Sequence, residues 1–336
     1  MFLRRAAAAL FALAAFAARA ETPAEFYRGK TITVAVGFSA GDGTDTWARL
    51  IARRMAPRMP GAPQFAVVNT PGAGSLLLAN QLANTQPRDG TVFGAVNRGM
   101  PFEPLLGVAP TQFDAMKMNW LGSPDRDTAV CAARKDAAVQ SLRDLTTREL
   151  IVGSTGSGAD TATIPSVLRE VLGLKFKMVT GYPGSRDILL AIERGEVQGI
   201  CVNYDSLARE PVYGGGVARI LFQASSTSDE RLSRYPVAAE LARSDGDRQA
   251  LALFFKRAEI GRPFVAPPGV PADRLAALRQ AFADTLADPD LKADAEQAGL
   301  NLRPVSAAAT QAILAEVYAT PADVVARMKA AFGRAN

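Results

Sequence analysis

The chain contains no histidine among its 336 residues. That absence removes the usual general base near neutral pH and the commonest metal ligand, so Ser-His-Asp and Cys-His schemes are excluded. Cysteine is almost as scarce. Cys131 and Cys201 are the only two, a poor basis for a zinc site without histidine. In an oxidising compartment such a pair either forms a disulfide or remains as two buried thiols. Aromatic residues do not interleave with basic ones in any stripe, so nucleic acid is not an expected partner. No internal repeat of fixed period and no long linker is present. No metal and no cofactor is expected.

One long apolar run exists, and it opens the chain. Arg4 and Arg5 precede the alanine-rich residues 6–17, and Ala18, Arg19 and Ala20 fit a small-residue cleavage pattern. The run is short for a bilayer span. Glu21 follows the cut, so no lipid-bearing cysteine stands there. The expectation is an exported, soluble protein beginning near Glu21. The leader also distorts the charge. Taking its three arginines from 38 basic residues leaves 35 against 33 acidic ones, near +2 rather than +5. Arg49, Arg53, Arg54 and Arg58 fall at spacings that place them largely on a solvated helix face.

Glycine is plentiful, and four glycine-rich strings stand where a predicted strand runs into a predicted helix. They are Gly37-Phe-Ser-Ala-Gly-Asp-Gly-Thr-Asp45, Asn69-Thr-Pro-Gly-Ala-Gly-Ser75, Gly153-Ser-Thr-Gly-Ser-Gly158 and Thr180-Gly-Tyr-Pro-Gly-Ser185. A helix N-terminus carries unpaired N–H groups and partial positive charge, and glycine lets backbone approach a ligand closely. Two strings lie in the first third of the chain and two in the middle third. The layout predicts two lobes presenting amides to a small anion.

The periodicity supports this plan. Strands are predicted over residues 31–37, 64–68 and 91–96, with helices over 46–59 and 76–83. Trp47, Leu50, Ile51 and Met55 mark one face of the first helix. Residues 119–123 and 129–133 read as strands that cross between lobes. Strands at 149–153, 175–179, 199–202 and 218–222, with helices at 162–172 and 187–194, make a second α/β set. Such alternation implies parallel strands with right-handed crossovers. The proline-rich residues 262–271 read as a stop to regular structure. Helices follow around 275–286, 291–298, 306–318 and 322–332.

The first glycine string fits neither G-x-G-x-x-G nor a P-loop. Ser39 and Thr44 add hydroxyls to it, and Asp45 is expected to cap the following helix. Ligands of open α/β sheets bind beyond the carboxyl ends of the strands. Arg98 follows the third strand and stands either at that cleft edge, ready for a carboxylate, or on the surface. Ser154, Thr155, Ser157, Thr161, Tyr182 and Ser185 offer hydroxyls from the second half. Tyr204 and Asp205 serve either the cleft or packing and capping.

These residues resemble a known family. Phe38-Ser-Ala-Gly-Asp-Gly-Thr-Asp45, Asn69-Thr-Pro-Gly-Ala-Gly-Ser75, Pro87-Arg-Asp-Gly-Thr91, Gly181-Tyr-Pro-Gly-Ser185, Gly195-Glu-Val-Gln-Gly199 and Phe264-Val-Ala-Pro-Pro-Gly-Val-Pro271 are similar to motifs of the Bug-type periplasmic solute receptors of tripartite tricarboxylate transporters. The resemblance runs from about Tyr27 to the C-terminus. It implies a type II periplasmic-binding-protein fold: two α/β lobes around a ligand cleft, with crossings near Gly122 and Gly261. Lobe one would comprise 27–121 and 262–336, lobe two 122–261, with the C-terminal helices packed on lobe one. By resemblance the ligand would be held by Ser39, Ala40, Gly41, Asp42, Gly43, Thr44, Gly74 and Ser75 from lobe one. Ser154, Thr155, Gly156, Ser157, Gly158, Tyr182, Pro183, Gly184 and Ser185 would hold it from lobe two. The family's first loop usually has glycine where this chain has Asp42. Either Asp42 turns outward, or the ligand carries a positive group.

The resulting expectation is a monomeric periplasmic receptor that is not an enzyme. Its ligand would be a small carboxylate or amino-acid-like solute, and its partner the permease subunits of a tripartite transporter or a sensor protein. Two rivals stand beside it: a partner-binding module that kept the cleft, and a histidine-free hydrolase using Ser154 or Ser157. The second lacks any Ser-x-x-Lys string at these loops.

Overall fold

The computed structural model describes residues 21–107 and 110–333. The leader assigned to residues 1–20 lies outside them. Two sheets form the molecule. The first contains β1 (Thr31–Val36), β2 (Gln64–Asn69), β3 (Val92–Ala95), β4 (Asn119–Ser123), β10 (Phe264–Ala266) and β11 (Val305–Ser306). The second contains β5 (Ala129–Arg134), β6 (Leu150–Ser154), β7 (Phe176–Thr180), β8 (Gly199–Asn203) and β9 (Ala218–Ala224). Their orders are β11-β4-β10-β3-β1-β2 and β7-β6-β8-β5-β9.

Both sheets share one plan. β1 lies between its parallel neighbours β2 and β3, as β6 lies between β7 and β8. Beside each trio runs one antiparallel strand reached directly from the other lobe: β10 in the first sheet and β5 in the second. Each lobe therefore contains a strand laid down by a crossing, and the two α/β lobes are tied by the backbone.

The local sequence explains the elements. Val34 and Val36 face the same core as Trp47, Ile51 and Met55 of the helix Gly43–Met55, all fully buried. A second apolar layer, with Leu78, Leu82 and Val92, covers the other face of that sheet. Coverage of both faces is the condition for parallel strands. The second sheet is sandwiched likewise, Ile188 and Ile192 on one side and Ile164, Val167 and Leu168 on the other. Each large apolar side chain so buried contributes about 1.5–3 kcal/mol.

Three expectations change. The proline-rich passage contains β10, central to the first sheet. Its three residues lie between Pro263 and Pro267, keep their own N–H groups, and pair with β3 and β4. The helix Asp245–Phe255 was not anticipated; Ser244 caps it by accepting from the Asp247 N–H at 3.1 Å. The helix Ala322–Gly333, expected on lobe one, packs against Asp160–Leu172 and Asp245–Phe255, because Val325 and Met328 join the apolar cluster of Ile164, Val167 and Phe254.

Arg49 and Arg53 of the arginine row are exposed as their spacing implies, but Arg54 and Arg58 are half-buried. Arg54 pairs with Asp294 and Asp290 of the neighbouring helix Pro289–Gln297 at 2.6 and 3.0 Å, and Arg58 with its N-cap Asp288 at 2.9 Å. Cys131 and Cys201 form a disulfide from directly opposed positions on β5 and β8. No helix among the described residues is long and apolar enough to cross a membrane.

Candidate functional site

The four glycine strings meet. In the first lobe, the segments after β1, β2 and β3 end at one sheet edge; in the second, those after β6, β7 and β8 do the same. The two edges face each other and touch on both sides of a cavity. On one side Ser39 Oγ donates to Asp187 Oδ2 at 3.0 Å, and Arg209 donates to Thr46 Oγ1 at 2.8 Å and the Gly41 carbonyl at 3.0 Å. On the other, the Ala73–Ser75 turn lies against Gly156 and Ala159. Gly74, at φ +67°, has no space for a side chain there: an added Cβ would strike the Ala159 backbone. Gly184 is similarly closed off by the Ser39 hydroxyl.

Asp42 stands at the centre of this contact. It, not Asp45, is the N-cap of the helix Gly43–Met55, and its Oδ1 accepts from the Thr44 N–H at 2.9 Å. Its Oδ2 accepts from the Ser185 N–H at 3.1 Å and the Ser185 hydroxyl at 2.5 Å. Asp42 therefore turns inward, since N–H groups opening two helices, one per lobe, offer an anion better solvation than an outward loop position. Asp45, in the first turn, accepts from the Gly41 N–H and the Asn69 amide, both at 2.8 Å, and from Arg49 at 2.9 Å.

Arg98 is in the cleft, not on the surface. It is 2% exposed, and its guanidinium bonds Asp160, the first residue of the helix Asp160–Leu172, and the Asp127 carbonyl. Arg257 lies 3.6 Å from the same Asp160 carboxylate and 3.9 Å over the Phe254 ring; burial holds its pKa below the usual arginine value. Arg262 bonds Asp125 and donates to Ser206 Oγ at 2.9 Å, and burial lowers its pKa to about 10. Two of the cavity's arginines are thus already neutralised by aspartates. The cavity, lined by Asp42, Thr44, Arg98, Thr155, Ser185 and Arg262 among others, holds about 50 Å³. About 10–15 Å³ of such space admits one water, and small-molecule pockets run to several hundred Å³. The lobes are closed on each other.

Behind the cavity, at the crossings, carboxylate oxygens of Asp125, Asp127 and Asp205 lie within 4.8 Å of one another. Each is engaged: Asp125 by Arg262, Asp127 by the Asp205 N–H at 3.1 Å, and Asp205 by Arg231 at 3.0 Å and Asn301 at 3.1 Å. Burial and the neighbouring Asp205 carboxylate raise the pKa of Asp127 to about 7, against the pull of Arg98 and Arg231.

Of the residues expected to hold a ligand, Asp42, Thr44, Arg98, Thr155 and Ser185 line the cavity. Ser39, Gly41, Gly74, Gly156 and Gly184 form the contact between lobes. Gly43 approaches Ser206 and Arg262, and Gly158 approaches the Ala73 carbonyl. Ser75 and Ser154 are buried behind the surface; their hydroxyls accept from the Asn97 N–H at 2.7 Å and the Gly156 N–H at 3.2 Å. Ala40, Ser157 and Pro183 are exposed, and Tyr182 packs on the core of the second lobe. Asp205 faces the crossings, and Tyr204 packs beside it. Asp160, Arg262, Asn203 and Ser206 went unread. Arg262 alone carried a signal, a charge inside the otherwise apolar run from Ile260 to Ala266.

The periplasmic binding protein BugD matches over 92% of this chain and 98% of its own, with TM-score 0.69 and 21% identity. The chain has the Bug-type periplasmic-binding-protein fold. MatC from Rhodopseudomonas palustris, solved with bound malate, shares this Bug-type fold at TM-score 0.71 and 22% identity, over 88% of this chain and 99% of that one. A second R. palustris protein, solved with adipate, matches at TM-score 0.69 and 21% identity, over 89% and 97%. Among curated proteins, the UPF0065 protein in the gbd 5′ region of Cupriavidus necator is 27% identical over 244 residues, 70% of this chain and 71% of that protein. No family model matches the chain.

Proposed function

We propose that this protein is a periplasmic solute-binding receptor that captures a small organic acid between its lobes and delivers it to a membrane transporter. One observation carries the reading: helix N-termini from both lobes converge on a single buried carboxylate, that of Asp42. Donors arranged in this way suit an anion at the lobe interface. The malate- and adipate-bound relatives of the same fold support a carboxylate as the solute. Thr44, Arg98, Thr155 and Ser185 are the residues we assign to it. A ligand bridging the lobes favours the closed form through its differential affinity for the two forms, and that form is what a permease would recognise.

A second reading, a sensor or partner-binding module, draws on the small size of the closed cavity. Thermal unfolding of the protein against mono-, di- and tricarboxylates and amino acids separates the two. At a hundred times its dissociation constant a specific ligand adds about 2.7 kcal/mol of stability, so the receptor reading expects a rise in Tm with one chemical group. No shift across the whole panel, in folded ligand-free protein, would refute it in favour of the second.

A further inference from the structure

The side chain of Asp42 takes up helix N-terminal donors from both lobes. It is 5% exposed and takes up three donors, the Thr44 N–H, the Ser185 N–H and the Ser185 hydroxyl. The two N–H groups open helices of 13 and 10 residues from opposite lobes. Among the described residues no cation forms an ion pair with Asp42; the neighbouring guanidinium of Arg262 is bonded to Asp125 and Ser206. A second carboxylate entering beside Asp42 would therefore meet a like charge in a nearly water-free space, with its donors already taken.

We propose that Asp42 is a resident carboxylate: it clasps the two lobes in the unliganded protein and must release the donors of Ser185 before a ligand's carboxylate can use them. The inference rests on the carboxylate reading of the cleft. It makes Asp42 the residue that sets specificity and affinity, because every acidic ligand competes with a carboxylate that is already in place. Ser39 with Asp187, and Arg209 with Gly41 and Thr46, add further links across the same edge. These links are charge-assisted too, but all their partners are half-buried, whereas the Asp42 contact is buried.

The test compares wild type with Asp42→Ala and Asp42→Asn. The asparagine variant keeps an acceptor for the Thr44 N–H, and hence the helix cap, which controls for misfolding of the alanine variant. Small-angle scattering gives the radius of gyration without ligand, and calorimetry gives affinity for malate as a dicarboxylate probe. Both variants are expected to have a larger ligand-free radius than wild type and to bind malate at least tenfold more tightly. An unchanged radius in both variants overturns the proposal whatever the affinity. Equal malate affinity in three proteins that do bind malate overturns it as well. A larger radius with no malate binding by any of them upholds the clasp and counts against the carboxylate receptor reading instead.

Discussion

Two buried aspartates meet opposite surroundings. Asp42 is offered three hydrogen-bond donors at the ends of two helices, whereas Asp127 shares its space with the carboxylate of Asp205. Burial and that like charge keep the proton on Asp127 up to a pKa of about 7. An unfolded aspartate gives up its proton near 3.9. Between those values the folded chain binds more protons than the unfolded one, so stability falls as pH rises through the window and is level above it. The size is at most about 4 kcal/mol, from 1.36 kcal/mol per pH unit. Asp127→Asn should remove this component. Urea midpoints at pH 5 and pH 8 will measure it, and the wild type is expected to lose more stability between them than the variant. An equal loss in both proteins would show that Asp127 does not hold its proton in the folded state.

At the scale of elements, the disulfide joins β8, the central strand of the second sheet, to its neighbour β5. Cys131 and Cys201 are 70 residues apart in sequence, and the loop they close contains β6, β7 and the helices between them. Loop-closure entropy for that length corresponds to about 4 kcal/mol, and measured disulfides generally give 2–4 kcal/mol. A double Cys131→Ala, Cys201→Ala variant should lose roughly that much in urea unfolding, with a smaller m-value difference than a loss of native structure would give. A loss below about 0.5 kcal/mol would mean that the unfolded chain gains little freedom from the cut. The sequence left this pairing open, since two cysteines cannot report whether their strands are neighbours. What was legible is what repeats locally. β1, β4 and β6 show in their apolar runs, and Trp47, Ile51 and Met55 show their helix by spacing. β10 was hidden because the flanking prolines outweighed three apolar residues, and a three-residue strand has no period to read. The partners of Arg98 and Arg262 were hidden for a different reason. Asp160 and Asp125 are 62 and 137 residues away along the chain; the first contact joins the two lobes and the second joins two crossing segments that run side by side, and no local pattern encodes either.

For the whole molecule, the question is what separates folding of each lobe from closure of the pair. Gly184 and Gly153 are 31 residues apart in sequence and answer it differently. At Gly153, inside β6, an added Cβ would strike Ile188 of the same lobe, so Gly153→Val overpacks the core and should cost about 1–3 kcal/mol of stability. Gly184 has extended backbone, φ −156° and ψ 169°, that any residue adopts. Its added Cβ would meet Ser39 of the other lobe. Gly184→Val is therefore a wedge between lobes with little to disturb inside either, since the apolar clusters around Trp47 and around Ile188 are separate. The expected result is a native far-UV spectrum, a larger radius of gyration with and without ligand, and loss of the ligand-induced rise in Tm. A variant that binds and closes as wild type does would show that the Ser39 and Gly184 faces need not meet in the liganded state. Loss of the native spectrum would show that the lobes do not fold independently of their contact. Either result bears on how closure is shared, because Gly184 is required by the approach of the first lobe and not by its own backbone, whereas Gly41, Gly74 and Gly156 also hold positive φ.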